Sequence, residues 1–152
     1  PHMRSQRSGY ILNISSLAGS LGVPLQGYYS ASKHAVDGFT KSLRMEVRKF
    51  GIKVVLLKPG FVKTNLHHSF QKAEQSIQDY EEITHSVEQA LNESITEGID
   101  PSVISEKVLK ILRLENPKQS YAVGTDGKLL PILNRLFPRI FEYGSRKKFN
   151  LD

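Results

Sequence analysis

The chain has 152 residues, 39% of them apolar and 24% charged, with a net charge of +6 from 21 basic and 15 acidic side chains; this is the make-up of one ordinary globular domain with one core. The absence of cysteine excludes a disulfide framework and a thiolate metal site. No apolar run of about 18 residues occurs, and Pro1-His2-Met3-Arg4-Ser5-Gln6-Arg7 has no signal-peptide core, so neither a membrane span nor an export signal is visible and a cytoplasmic protein is expected.

Tyr10-Ile11-Leu12-Asn13-Ile14 is a short, nearly continuous apolar run bounded by Arg7-Ser8-Gly9 and Ser15-Ser16. Such a run predicts a strand buried on both faces, as in parallel sheets. From Tyr28 to Phe50 the period becomes helical, with Ala31, Ala35, Phe39, Leu43 and Val47 four apart on one face. Gly51 closes this helix, because glycine enters the left-handed cap conformation without steric cost. Ile52-Lys53-Val54-Val55-Leu56-Leu57 predicts a second strand, stopped by Pro59-Gly60. Strand, long helix and strand form a βαβ unit with a right-handed crossover.

Beyond Thr64, Ile77, Tyr80, Thr84, Val87 and Leu91 keep three- and four-residue spacing, which predicts an amphipathic segment of two helices. Asp100-Pro101 is a helix start, a carboxylate cap followed by proline, with Ile104, Val108, Ile111 and Leu112 on one face. Tyr121-Ala122-Val123 before Gly124 predicts a third short strand. In the tail, Leu129, Leu130, Leu133, Leu136, Phe137, Ile140 and Phe141 are interleaved with Arg135 and Arg139 and followed by Arg146-Lys147-Lys148. Core or subunit contact is the plain expectation for them, and contact with an anionic membrane surface is the alternative. No zinc spacing, RNA-binding aromatic signature or helix-turn-helix pattern accompanies the basic residues, so a solvated basic face is expected rather than a nucleic-acid partner. His67-His68 is not a metal site, since adjacent helical residues do not share a face. His34 is expected to pack rather than to act as an acid.

Three segments carry chemistry. Ser16 ends the first strand, Tyr29 and Lys33 are one helical turn apart, and Pro59-Gly60-Phe61-Val62-Lys63-Thr64 follows the second strand. A free phenol, with a pKa of about 10, is almost wholly protonated at neutral pH. An ammonium four residues later on the same helix favours the phenolate, so Lys33 is the natural activator of Tyr29. Neighbouring Tyr28 is a rival phenol, and the four-residue spacing selects Tyr29. Ser16 could hydrogen-bond the same substrate oxygen, because open α/β sheets bind ligands outside the carboxyl ends of their strands.

With Gly9-Tyr10-Ile11-Leu12-Asn13-Ile14-Ser15-Ser16-Leu17-Ala18-Gly19, Tyr29-Ser30-Ala31-Ser32-Lys33 and Pro59-Gly60-Phe61-Val62-Lys63-Thr64 in this order, the chain resembles the short-chain dehydrogenase/reductases, in particular those acting on hydroxysteroids, retinoids and other lipophilic carbonyls. Ser16 and Tyr29 lie thirteen positions apart, as in the family's pattern. The resemblance implies a doubly wound, Rossmann-type parallel sheet and reversible hydride transfer between NAD or NADP and a secondary alcohol or ketone. It implies that Ser16 orients the carbonyl, Tyr29 is the acid or base, and Lys33 assists the phenol and binds the nicotinamide ribose. Pro59, Gly60, Val62 and Thr64 would line the nicotinamide. Residues 65–100, chiefly Gln71 to Gly98, would form a substrate lid and 126–152 a C-terminal extension. Homo-oligomerisation through the 28–50 helix follows from the same resemblance.

The family's glycine-rich cofactor turn, Asn-Ala-Gly motif and catalytic asparagine have no counterpart in these residues. The expectation is therefore the C-terminal portion of a single larger domain, with the N-terminal half missing, and little or no activity by itself. Pro1-His2-Met3-Arg4 resembles the end of the helix preceding the serine strand, a vector-derived His-Met remnant being the alternative. The rival to an enzyme is a binding or regulatory module that retains only the second half of the fold.

Overall fold

The computed structural model describes residues 1–66 and 77–151. A short helix α1 (His2–Ser5) precedes strand β1 (Gly9–Ile14), helix α2 (Gly27–Val47) and strand β2 (Ile52–Pro59). Helices α3 (Glu81–Thr96) and α4 (Pro101–Leu112), strand β3 (Ser120–Val123), and helices α5 (Thr125–Leu136) and α6 (Pro138–Lys148) follow. The three strands are parallel in the order β1-β2-β3. Gly9 to Ile14 pair in register with Ile52 to Leu57, and Leu56 to Pro59 with Ser120 to Val123. The βαβ unit and the third strand are as the patterning predicts, and the class is α/β of the Rossmann type.

Val54, Val55, Leu56 and Leu57 of the central strand are wholly buried, which their apolar, β-branched-rich run demands of a strand covered on both faces. Burial of β1 on both faces is not observed. Its residues Gly9 to Asn13 are only half-buried and Ile14 is 52% exposed. The covering helices centre on β2, and β1 is paired on one side only among the described residues.

On one face of the sheet α4 sets Ile111 against Val55, Leu57 and Val123, with Ile104 and Val108 around them. The Asp100 carboxylate accepts from the Ser102 N–H at 2.8 Å and Pro101 occupies the first turn, so the helix starts where the cap residue predicts. Leu112 does not share that buried face. It lies about 100° round the helix from Ile111 and is exposed.

On the other face lies α2, and its contact with the sheet is polar. Ser30, Asp37 and Thr40 are buried. Thr40 accepts from Asn13 Nδ2 at 2.9 Å and donates to the Val36 carbonyl. Arg44 donates to the carbonyls of Val54 and Pro117. Lys58 of β2 forms an ion pair with Asp37 and donates to Ser20 Oγ at 2.8 Å. Of the apolar row, Ala31, Ala35 and Phe39 are exposed and turn away from the sheet, while Leu43 and Val47 are half-buried. After a short turn at Arg48–Phe50, Gly51 takes φ +71°, and a Cβ there would collide with the Arg7 carbonyl oxygen.

A second cluster joins Val87, Ala90 and Leu91 of α3 to Phe149 beyond α6, with Val23 and Phe61 packed against it. Of the amphipathic segment foreseen beyond Thr64, a single turn at Gln78–Tyr80 leads into α3. Residues 67–76 of the expected lid, with His67 and His68, lie outside the described residues.

Candidate active site

Ser16 leaves β1 in extended conformation and caps the tight turn Leu17–Gly19, its Oγ accepting from the Ala18 N–H at 3.2 Å. The neighbouring Ser15 is buried and donates to the Lys33 carbonyl at 3.3 Å. This bond ties the carboxyl end of β1 to the first turns of α2. One helical turn separates Tyr29 from Lys33, and the Lys33 ammonium lies 5.6 Å from the centre of the Tyr29 ring. The same ammonium donates to the Ile14 carbonyl at 3.4 Å, at the end of the strand that carries Ser16. Tyr28 is 98% exposed and does not line the cavity described below, whereas Tyr29 does. The His34 ring bonds the Ser30 carbonyl at 2.9 Å and does not line the cavity described below.

The Pro59-Gly60 turn is held from the far side by Asp126, whose Oδ2 accepts from the Phe61 N–H at 2.6 Å. A Cβ on Gly60 would strike that carboxylate, so close approach requires glycine. Gly124 at the end of β3, with φ +89°, brings the chain round to present Asp126. Beyond the turn Val62 bridges to Ile99, just before α4. Thr64 is exposed and its Oγ1 accepts weakly from Leu66 N–H at 3.4 Å.

Ser16, Tyr29, Lys33, Pro59, Gly60, Val62 and Thr64 all line one cavity of about 650 Å³ at the carboxyl ends of the strands. All seven residues singled out in the sequence are thus brought together. Leu91 and Ile95 of α3 and Ile104 of α4 supply an apolar wall. Gln26 and Ser105 also line the cavity and had no signal in the sequence. Asp126 was missed as well, although Gly124-Thr125-Asp126 directly after a strand is a turn signature. Among the described residues no group of three His, Cys, Asp or Glu could hold a metal ion.

A hydroxyl, a phenol and an ammonium around an apolar cleft at the strand ends suit an enzyme that moves a proton on and off a carbonyl or alcohol oxygen. The family model described as short chain dehydrogenase matches residues 1–75. The 3-ketodihydrosphingosine reductase of Bacteroides thetaiotaomicron is 35% identical over 141 residues, covering 91% of this chain and 50% of that protein. Dehydrogenase/reductase SDR family member 9 of Bos taurus is 34% identical over 133 residues, covering 79% of this chain and 41% of that protein. Among solved structures, a short-chain dehydrogenase from Streptomyces avermitilis superposes with a TM-score of 0.73 at 29% identity, over 99% of this chain and 54% of that one. A 3-oxoacyl-[acyl-carrier protein] reductase with bound NAD from Brucella melitensis gives 0.57 at 26% identity, over 81% and 42%. The chain belongs to the short-chain dehydrogenase/reductase family. It spans about half the length of the curated relatives it matches.

Proposed function

We propose that this chain carries the proton-transfer half of an NAD- or NADP-dependent oxidoreductase that interconverts a secondary alcohol and a ketone. What supports the reading is the opening of Ser16, Tyr29, Lys33 and the Pro59-Gly60 turn onto one cavity. The donor set fits the nicotinamide-ribose end of such a cofactor: an ammonium for sugar hydroxyls at Lys33, a hydroxyl at Thr64, and a flat backbone surface at Pro59-Gly60. When bound, the cofactor supplies or accepts the hydride, two electrons with one proton, at the substrate carbon.

The residues of this chain handle the oxygen. Ser16 Oγ donates to the carbonyl oxygen and fixes its angle to the phenol. In reduction Tyr29 gives its proton to that oxygen as the carbon is reduced, and in oxidation it takes the proton back. The Lys33 ammonium stabilises the phenolate left behind, and its bond to the Ile14 carbonyl keeps the amine aimed between Tyr29 and the serine strand. Leu91, Ile95 and Ile104 keep water from the reacting oxygen and favour a lipophilic substrate.

The test is turnover of a ketone panel by the full-length protein containing this chain. Tyr29→Phe is expected to lower kcat by about 10²- to 10⁴-fold, the usual worth of a positioned acid or base, while leaving NAD(P)H binding nearly intact. Turnover within a fewfold of wild type would sink the assignment. The 152 residues alone contain no glycine-rich helix start to hold a pyrophosphate, and are expected to bind the cofactor poorly and to turn over little or nothing.

A further inference from the structure

Behind the wall of the candidate active site lies a second cavity of about 240 Å³, lined on its far side by Leu130, Leu133 and Phe141 of α5 and α6. Leu17, Val23 and Phe61 line both cavities and form the partition between them. The second space is apolar. Among the described residues Lys148 is its sole charged lining residue, and that ammonium lies over the Phe61 ring at 5.3 Å instead of reaching inward. It opens to solvent past the exposed Gly22, Ile140, Gly144 and Lys148, and its lining offers an ordered water few of the two to four polar partners it needs. Hydrocarbon suits it better.

Adjacency is the second observation. The partition belongs to the segments that build the active site: Leu17 follows Ser16 directly, and Phe61 follows Gly60. The two cavities are thus adjacent, and a molecule whose oxygen lies at Ser16 and Tyr29 reaches the second by displacing the Val23 or Phe61 side chain. Compact alcohols would leave the second cavity unused. An extended chain would fill it.

We propose that this second cavity receives the distal hydrocarbon chain of an elongated substrate, so that the protein acts on long-chain oxo or hydroxy compounds in preference to compact ones. This rests on the function proposed above. Each methylene that passes the partition leaves water, which is expected to raise affinity about fourfold until the cavity is full.

Two glycines make the proposal testable without touching the catalytic groups. Gly144 of α6 and Gly22 both line the second cavity, neither has a positive φ, and a Cβ added to either meets nothing within 4 Å. Gly144→Phe and Gly22→Leu therefore grow into open space rather than into backbone. The full-length protein is measured with a series of 2-alkanones from 2-pentanone to 2-tridecanone, by steady-state kinetics and by calorimetric binding.

Wild type is expected to favour the long ketones. The ratio of long-chain to short-chain kcat/KM, or of the corresponding binding constants, is expected to fall at least about tenfold in each filled variant, the worth of a few buried methylenes. A smaller fall in both, or a wild type with no chain-length preference, overturns the proposal. If wild type turns over no ketone, the binding ratio still decides it. A chain-length preference in binding that Gly144→Phe removes, without turnover, would sink the oxidoreductase reading and leave the tail cavity standing.

Discussion

Asp126 does at one residue what a longer loop would otherwise have to do. Its carboxylate holds the Phe61 N–H, packs against Gly60, and so fixes the floor of the cavity on which Val62 and Thr64 depend. A Cβ at residue 60 must displace that carboxylate. Gly60→Ala is therefore expected to lose a charge-assisted bond worth about 1.5–3 kcal/mol. In an Asp126→Ala background the same substitution should cost much less, because the obstacle has gone. Urea denaturation of the four proteins checks this; equal costs in both backgrounds would refute the account. Ser16, Tyr29 and Lys33 were legible in the sequence because their relations are local: a strand end, one helical turn, a fixed spacing. Asp126 was not, because its partner lies 65 residues away and only the folded sheet brings β3 beside the end of β2.

At the scale of elements, α4 shows a cap acting through charge. The Ser102 hydroxyl, then its backbone N–H, hold the Asp100 carboxyl below its ordinary range, with a smaller pull from Lys63. A carboxylate whose folded pKa is lowered contributes stability above its unfolded pKa and loses it as pH falls through the folded one. The chain is thus expected to soften on acidification through and below the ordinary aspartate range. Asp100→Asn should flatten that limb of the stability profile, read by thermal unfolding between neutral pH and pH ~3. An unchanged profile would remove the carboxylate from the account. α2 illustrates the converse limit of sequence reading. Its length and its end at Gly51 follow from period and cap chemistry, yet Ala31, Ala35 and Phe39 of the apolar row do not face the sheet. Patterning assumes that apolar residues mark the buried side, whereas here Asn13 pairs with Thr40, Lys58 with Asp37, and Arg44 with the backbone carbonyls of Val54 and Pro117. The two tail helices escaped notice for another reason: Pro131 within α5 and Pro138 at the start of α6 look like breakers.

On the molecule as a whole, two of the exposed apolar groups among the described residues bear on partners. Tyr28, Phe39 and Met45 of α2 are exposed, and so are Leu129, Ile132 and Leu136 of α5, Phe137 at the junction, and Ile140 and Tyr143 of α6, beside Arg135 and Arg139. We propose the first as the seat of homo-oligomerisation and the second as a peripheral contact with anionic membranes; among the described residues no helix is long and apolar enough to cross one. For the full-length protein, Phe39→Glu is expected to shift sedimentation velocity towards the monomer. Co-sedimentation with vesicles is expected to rise with phosphatidylserine content and to fall in Leu136→Glu. Binding indifferent to anionic lipid would remove the membrane contact.

The ion pair between Lys58 and Asp37 ties the middle of α2 to the strand that ends in Pro59. A slip of one position along the helix would swing Asp37 about 100° away and strand two charges beneath the sheet. The direction in which Tyr29 presents its oxygen is therefore keyed from below by electrostatics, two turns distant from the chemistry. The proposed proton donor thus stays indexed to the sheet.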